Sequence, residues 1–142
     1  MKIVIDTNVV VSAFRSRTGA AFRVVELCGG KRFQPIVSAP LVLEYESILL
    51  RHAKEFGLGP RDVGDVVDYL CAIAMHQEVY YLWRLVLRDS SDDLVLEVAV
   101  AGGAKCIVTH NLKDFGRAAD FGICALPPAD FLKMIGVKHE HD

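Results

Sequence analysis

The sequence predicts an α/β fold with a parallel β-sheet. Short apolar runs alternate along the chain with longer helical stretches, and this order is typical of a parallel sheet covered by helices. The first run, residues 3–5, is Ile-Val-Ile, a β-branched run without polar alternation. Such a run is expected for a strand that is buried on both faces. No internal repeat or linker interrupts the pattern.

The first half of the chain contains two predicted strands, each followed by two helices. Ser38 stands at the end of the second apolar run, where its hydroxyl can cap the next helix, and Pro40 fits the first turn of that helix. The predicted strands cover residues 3–5 and 35–38, and the predicted helices cover residues 9–14, 20–28, 39 to about 55, and 60 to about 76.

The second half of the chain continues the alternation. Residues 79–82 fit either a strand or an extended connector, and residues 88–93 are predicted to form a polar loop. Gly102 and Gly103 close the helix that follows, since glycine commonly ends a helix. The remaining predicted elements are a helix over residues 94–101, strands over residues 106–109 and 123–126, and a last helix ending near residue 135.

Length and composition bound the class of protein. The chain has 142 residues, of which 52% are hydrophobic and 24% charged, and its mean hydropathy is +0.30. These values exclude a disordered chain and predict one domain, which we assign to residues 1–137, with a charged tail over residues 138–142. The formal net charge is −2, so any nucleic-acid site must be a local patch.

The sequence predicts a cytoplasmic protein without a membrane segment. The first apolar run has only three residues before Asp6, which is too short for a signal peptide or a membrane span. The four cysteines, at positions 28, 71, 106 and 124, form no CxxC pair and lie among apolar or small residues. We expect four buried thiols that stay reduced.

Acidic residues follow several of the predicted strands. In parallel α/β sheets, ligands bind beyond the carboxyl ends of the strands. The acids predicted at this edge are Asp6 after the first strand, Glu44 in the helix after the second, Asp92 and Asp93 before a later helix, and Asp114 after the strand at 106–109. Each acid also has a purely structural interpretation. Asp6 could be the N-cap of the next helix, and Asp93 could be a negative charge that the helix dipole favours. On a helical wheel Glu46 lies within the wider apolar arc of its helix and Glu44 lies at the edge of the apolar face, so the wheel alone does not select Glu44.

Clustered carboxylates repel one another, and their pKa values rise unless protons, basic side chains or a metal ion relieve the repulsion. The only lysine at these positions is Lys113. Oxygen ligands from Asp, Glu, Asn and Thr suit hard cations such as Mg²⁺ or Mn²⁺. A site of this kind activates water and stabilises the leaving oxygen in phosphodiester hydrolysis. The pattern therefore predicts metal-dependent hydrolysis at this edge.

Four segments of the sequence together resemble the PIN-domain family. They are IVIDTNVVVSAF, VSAPLVLEYESIL, SSDDLVLEVAVAGGAKCIVTHNLKDF and ALPPADFL, and they span almost the whole chain in family order. The most specific feature is DTN after the first strand, combined with the later DD and IVTxNxxDF patterns. The sequence is similar to the bacterial toxin-like branch of the family, the VapC-type ribonucleases of toxin–antitoxin pairs.

The resemblance implies a parallel-sheet, three-layer PIN-like nuclease fold and an Mg²⁺- or Mn²⁺-dependent endoribonuclease that uses water as the nucleophile. The positions that match the family motif imply four catalytic, metal-binding acids, Asp6, Glu44, Asp93 and Asp114. They also imply four polar residues that support these acids, Thr7, Asn8, Thr109 and Asn111. Asn111 stands where many relatives hold Asp. It stays open whether Asn111 or Asp114 is the nearer ligand, and whether one or two ions bind.

An RNA substrate needs positive charge beside an acidic site. Arg15 and Arg17 follow the first acidic segment, and Lys113 and Arg117 flank the other rim. These four residues are candidate phosphate contacts, with solvated surface charge as the alternative interpretation. His110 lies at the same rim without a Ser or Cys at a spacing typical of a catalytic pair, so we interpret it as a supporting or solvent-facing residue.

The resemblance also implies partners for the protein. These are an RNA substrate, a small cognate antitoxin, and a second copy of the chain in a homodimer. The apolar helical stretch over residues 63–75 could supply the dimer face, although core packing explains it equally well. The alternative function is a PIN-like domain that has lost turnover and binds RNA or a protein, and Asn111 is the reason to retain it.

Overall fold

The computed structural model describes residues 1–79 and 90–139, with the backbone but not the side chains of residues 90–93. The strands are β1 (Lys2–Ile5), β2 (Gln34–Val37), β3 (Met75–His76), β4 (Cys106–Val108) and β5 (Cys124–Leu126). The helices are α1 (Thr7–Arg15), α2 (Ala20–Leu27), α3 (Ala39–His52), α4 (Pro60–Ile73), α5 (Ser90–Gly102) and α6 (Pro128–Met134). A 3₁₀ helix covers Leu112–Phe121 between β4 and β5.

Within these ranges the strands form one parallel sheet in the order β3-β2-β1-β4-β5. The central strand is β1, which pairs Lys2 with Gln34 of β2 and Ile3 with Cys106 of β4. Parallel pairing brings the carboxyl ends of neighbouring strands to the same edge, so the segments that follow β1, β4 and β5 meet there. The predicted α/β fold with a parallel sheet is confirmed.

Helices cover both faces of the sheet. The strand order runs in one direction from β1 through β2 to β3 and in the other direction through β4 to β5. Because crossovers between parallel strands are right-handed, α1 to α4 lie on one face, and α5 and the 3₁₀ helix lie on the other. The contacts agree, since α1 packs on α2 and α3 while α5 packs on β1, β2, β4 and the 3₁₀ helix. The result is the expected three-layer architecture.

The core is centred on β1, whose side chains meet helices on both faces. Ile3 and Val4 are fully buried and Ile5 is nearly so. On the second face, α5 approaches β2 closely at Gly102, where a Cβ atom would lie only 2.9 Å from Cδ1 of Ile36. A Cβ atom at this position would force the end of the Ile36 side chain to shift, so the glycine allows α5 to approach β2 closely.

The end of α4 differs from the prediction. The helix was expected to continue to about residue 76, but it ends at Ile73, and Met75 and His76 form the short strand β3. These residues pair with Ile36 and Val37 of β2, and the backbone bonding continues with Gln77. Backbone hydrogen bonds to an open sheet edge therefore outweigh the local helical pattern. Of the ambiguous segment 79–82, residues 80–82 lie outside the described residues.

One segment that the sequence predicts as a loop is helical, and so is one segment for which no element is predicted. The helix α5 begins at Ser90, so the predicted polar loop is wrong for residues 90–93, while residues 88 and 89 lie outside the described ranges. The polar cluster after β4 leads into the 3₁₀ helix, which is kinked at Phe115. No element is predicted for most of this segment, although its apolar residues Leu112, Phe115, Ala118 and Phe121 recur every third residue, the repeat of a 3₁₀ helix.

The helices are short, and α3 and α4 have 14 residues each. None of the helices in residues 1–79 and 90–139 is long and apolar enough to cross a membrane.

The cysteines are free thiols, as expected, but they are not all buried. Cys28 and Cys106 are buried, Cys71 is half-buried, and Cys124 is exposed. Cys124 lies on β5, the edge strand of the sheet, where one side has no neighbouring strand. The expectation of four buried thiols is therefore wrong at this position.

We predict that Ser38→Ala lowers the free energy of unfolding by about 1 kcal/mol, the typical cost of losing an N-cap hydrogen bond. The Ser38 hydroxyl accepts a hydrogen bond from the Leu41 N–H at 3.2 Å, and the residue is buried. Urea denaturation measures the change. The control is Ser47→Ala, an exposed position within α3, and an equal loss in both variants would contradict the capping role.

Candidate active site

The central acid is Asp6, at the point where β1 passes into α1. Its backbone N–H donates to the Val108 carbonyl of β4 at 2.9 Å, so the bonding between the two strands extends through this residue. Asp6 occupies the N-cap position of α1, but its side chain makes no capping hydrogen bond. The residue is only 5% exposed. The interpretation of Asp6 as a simple helix cap is therefore wrong.

The carboxylate of Asp6 is held by Thr109, which follows β4. The Thr109 hydroxyl donates to Asp6 Oδ2 at 2.7 Å, and Thr109 is fully buried. The same hydroxyl oxygen accepts a hydrogen bond from the Asn111 N–H at 3.0 Å. This second contact fixes the direction of the hydroxyl, so the backbone after β4 orients the carboxylate after β1. Thr109 therefore contacts the carboxylate of Asp6 directly, and its role in supporting a catalytic acid stays a prediction.

A second acid, Glu44, is brought to the same region by α3. The hydroxyl of Thr7, the first residue of α1, donates to Glu44 Oε2 at 2.5 Å. Next to Glu44, the buried Tyr45 hydroxyl donates to the Ile5 carbonyl at the end of β1. These two hydrogen bonds fasten α3 to the carboxyl end of β1. The helical wheel did not select Glu44, but the fold places it beside the residue that follows Asp6.

The third acid, Asp114, lies in the first turn of the 3₁₀ helix. Its backbone N–H donates to the Asn111 carbonyl at 3.1 Å, and both residues are exposed at the rim. Asn8, another of the proposed supporting residues, contacts the opposite side of this loop, where its Oδ1 accepts from the His110 N–H at 3.4 Å. The segment after β4 is therefore tied to α1 beside the acids.

The fourth proposed acid is Asp93. Its backbone lies in the first turn of α5, which packs on β1, β2 and β4 as well as on α3. The side chains of residues 90–93 lie outside the described residues. The role of Asp93 stays a prediction, as does the choice between it and Asp92.

The negative charge of the acids in the site is not balanced by ion pairs with described basic residues. Burial raises the pKa of Asp6 from its ordinary value of 3.8 to about 6, while the Thr109 hydroxyl and the Thr7 amide lower it and the charges of Glu44 and Asp114 raise it. Burial, followed by the negative charge of Asp6, also raises the pKa of the Tyr45 hydroxyl. None of the ion pairs between described residues includes Asp6, Glu44 or Asp114. The carboxylate of Asp6 is therefore only partly compensated.

A hard divalent cation fits this donor set. Asp6, Glu44 and Asp114 offer only oxygen atoms, the ligands that Mg²⁺ and Mn²⁺ prefer, and a cation would relieve the unfavourable charge on Asp6. Among the side chains that the structure describes, no group of three Asp, Glu, His or Cys residues forms a complete metal site. The remaining ligands would have to come from water, substrate, Asp93 or movement of the exposed Asp114.

The four candidate phosphate contacts are all exposed, but they differ in their partners. Arg15 pairs with Glu55 at 3.3 Å and lies 5.8 Å from the centre of the Phe56 ring. The Nε atom of Arg117 lies 3.7 Å from Oδ2 of Asp120, so these residues also form an ion pair. Arg17 and Lys113 form no ion pair with any described residue.

Sequence reasoning missed one polar pair beside the acids. The Ser12 hydroxyl and His110 Nε2 lie 2.8 Å apart, which joins α1 to the residue after Thr109. His110 therefore has a serine partner that no sequence spacing indicates, and its interpretation as a supporting or solvent-facing residue stays a prediction. Burial lowers the pKa of His110 and so favours its neutral form. The two residues are 98 positions apart, and only the folded chain brings them together.

Comparison with known proteins identifies the family. A family model described as a PIN domain matches residues 2–113, and the chain belongs to the PIN-domain family. No curated protein sequence matches the chain.

Two solved structures are similar to this fold. One is VapBC2 from Rickettsia felis bound to a DNA fragment from its promoter, with a TM-score of 0.63 and 18% identity over 88% of this chain and 98% of that chain. The other is VapBC-1 from nontypeable Haemophilus influenzae, with a TM-score of 0.60 and 19% identity over 91% of this chain and 99% of that chain. At these identities the likeness concerns the fold.

We predict that Asp6→Asn stabilises the protein in chelator at neutral pH. Folding raises the pKa of this carboxyl, so the free energy of unfolding falls as the pH rises from about 4 to about 6. The rise from 3.8 to about 6 corresponds to about 3 kcal/mol of cost for the ionised form. The amide avoids this cost, so the variant should gain about 2 kcal/mol at pH 7.5 and almost nothing near pH 4.

Denaturation in urea at the two pH values measures the gain. Asp68→Asn is the matched control, because Asp68 is exposed and forms no ion pair with a described residue. A gain that is the same at both pH values would contradict the raised pKa of Asp6.

Proposed function

We propose that this protein is a divalent-metal-dependent endoribonuclease that acts as the toxin of a toxin–antitoxin pair. The observation that carries the proposal is the buried carboxylate of Asp6, held by Thr109 and flanked by the charges of Glu44 and Asp114. The acids come from β1, α3 and the segment after β4, in the order of the family motif. Membership of the PIN-domain family supports the same reaction class.

Asp6 is the central ligand in this proposal, with Asp93 and Asp114 completing the site directly or through water. A bound Mg²⁺ or Mn²⁺ ion supplies positive charge to the phosphate and makes water more acidic at neutral pH. Thr109 keeps the Asp6 carboxylate in one orientation, and Thr7 keeps Glu44 at the edge of the site. Glu44 orients the attacking water or takes part in binding a second ion.

The RNA backbone approaches from the side that carries free positive charge. Arg17 and Lys113 are exposed and form no ion pair with a described residue, so both are available to phosphate groups. Arg15 and Arg117 can contribute once their exposed ion pairs open, since such pairs have little net stability. Contacts of this kind position an RNA strand without reading its sequence.

The proposed protein partner is a small antitoxin. The similar folds carry the names VapBC2 and VapBC-1, and the sequence resembles the toxin-like branch of the family. Homodimer formation belongs to the same proposal. The predicted dimer face on α4 is largely used inside the chain, because Val63, Val67 and Leu70 are buried, whereas Tyr69 is 38% exposed.

One observation favours a second candidate function, a PIN domain that binds RNA or protein without cleaving it. Asn111 is an exposed neutral residue at the rim, where an aspartate would add a negative charge for a cation. With Asn111 in place, the acids of the described side chains do not form a complete metal site.

A cleavage assay separates these two functions. Wild type, Asp6→Asn and the control Asp68→Asn are incubated with single-stranded and structured RNA in Mg²⁺, Mn²⁺ or chelator. We expect cutting only with metal, by wild type and Asp68→Asn. Asp6→Asn should lower the rate at least about 100-fold, which corresponds to about 3 kcal/mol of lost transition-state stabilisation.

Circular dichroism checks that each variant is folded. Equal cutting by wild type and Asp6→Asn would point to a contaminating nuclease and remove Asp6 from the mechanism. Binding of RNA without cutting in any condition would favour the non-catalytic domain.

A further inference from the structure

A cleft lies next to His110, the residue that follows Thr109. Its volume is about 380 Å³, within the size range of sites that bind small organic molecules. We call it the α1–α6 cleft, because residues of α1, the start of α2 and the start of α6 line it. Most of its wall is apolar, formed by Ala20, Ala21, Pro127, Pro128 and Ala129.

The polar part of the cleft is the pair Ser12 and His110, with Arg15 at its margin. The Ser12 hydroxyl lies 2.8 Å from His110 Nε2 and 3.1 Å from the Val9 carbonyl oxygen. Hydroxyl and imidazole groups can each donate or accept a hydrogen bond. The pair therefore presents a polar edge in an otherwise apolar wall. The guanidinium of Arg15 is already paired with Glu55.

Two segments, α1 and the residues after β4, connect the cleft to the proposed active site. His110 directly follows Thr109, whose hydroxyl holds Asp6, and the His110 N–H donates to Asn8 near the start of α1. Ser12 is six residues after Asp6, which is about 9 Å along a helix axis. One nucleotide can span this distance. A strand with a phosphate at Asp6 can therefore place a neighbouring base in the cleft.

We propose that the α1–α6 cleft binds a nucleobase of the RNA strand, next to the phosphate that is cut. This inference rests on the proposed function and adds a base-binding subsite to it. A base has apolar faces that can pack on Pro127 and Ala129 and a polar edge that can meet Ser12 and His110, as in the recognition of unstacked bases. A simple anion does not match these walls, because they are mainly apolar.

The binding test needs no cleavage. The ¹⁵N-labelled protein in chelator is titrated with AMP, GMP, CMP, UMP and, as the base-free control, ribose 5-phosphate, and the shifts of backbone amides are followed by NMR. At least one nucleotide should bind about tenfold more tightly than ribose 5-phosphate, with shifts at Ser12, Ala20 and His110. Ser12→Ala and Ala129→Leu should weaken this binding about five- to tenfold, the size of one lost hydrogen bond or a blocked wall.

Ser47→Ala, an exposed position in α3, is the matched control and should bind like the wild type. Equal binding of ribose 5-phosphate, shifts that map away from the cleft, or no binding of any nucleotide would each overturn the proposal.

A second measurement distinguishes an RNA base from a free nucleotide. In cleavage of single-stranded RNA, Ser12→Ala and Ala129→Leu should raise KM with little change in kcat, whereas Asp6→Asn should lower kcat. Nucleotide binding with no change in KM would assign the cleft to a free nucleotide and overturn its role with RNA. Nucleotide binding by a protein that never cuts RNA would contradict the proposed function while leaving the base site in place.

Discussion

The structure depends on one constraint, the burial of a carboxylate at the end of the central strand. Asp6 is 5% exposed, and burial raises its pKa to about 6. A buried charge without a full partner is costly, and the fold offsets part of the cost with the Thr109 hydroxyl and the Thr7 amide. It adds to the cost by placing Glu44 nearby. This balance is expected of a site that receives a cation and unexpected of a structural aspartate.

Much of the fold could be predicted because its signals are local. The β-branched run of β1 and the capping position of Ser38 each lie within a few residues of sequence. The failures are elements whose stability comes from distant partners. Residues Met75 and His76 read as the end of a helix, but β2 offers them backbone hydrogen bonds. The 3₁₀ helix after β4 repeats its apolar residues every third position, a period that matches neither a strand nor an α-helix.

The residues of the candidate site also fall into two groups, those with a local sequence signal and those whose contacts come from distant parts of the chain. Asp6 follows a predicted strand and Thr109 ends another, so both lie at the carboxyl edge of a parallel sheet, where ligands bind. Glu44 could be selected only by resemblance, and its hydrogen bond with Thr7 becomes visible when α3 packs on β1. The contact between Ser12 and His110 crosses 98 positions and carries no local signal. It adds a polar edge to an apolar cleft that also contains Pro127 and Ala129.

The most direct test of this account is the titration of the Asp6 carboxyl carbon by ¹³C NMR, first in chelator and then in Mg²⁺. Asp6→Asn assigns the signal. We predict that the titration midpoint of Asp6 lies near pH 6 in chelator, the value of its raised pKa of about 6. With the cation present, the midpoint should fall below the ordinary aspartate range. A midpoint near 4 in chelator, or one that Mg²⁺ leaves unchanged, would contradict the claim that Asp6 is a buried acid awaiting a cation.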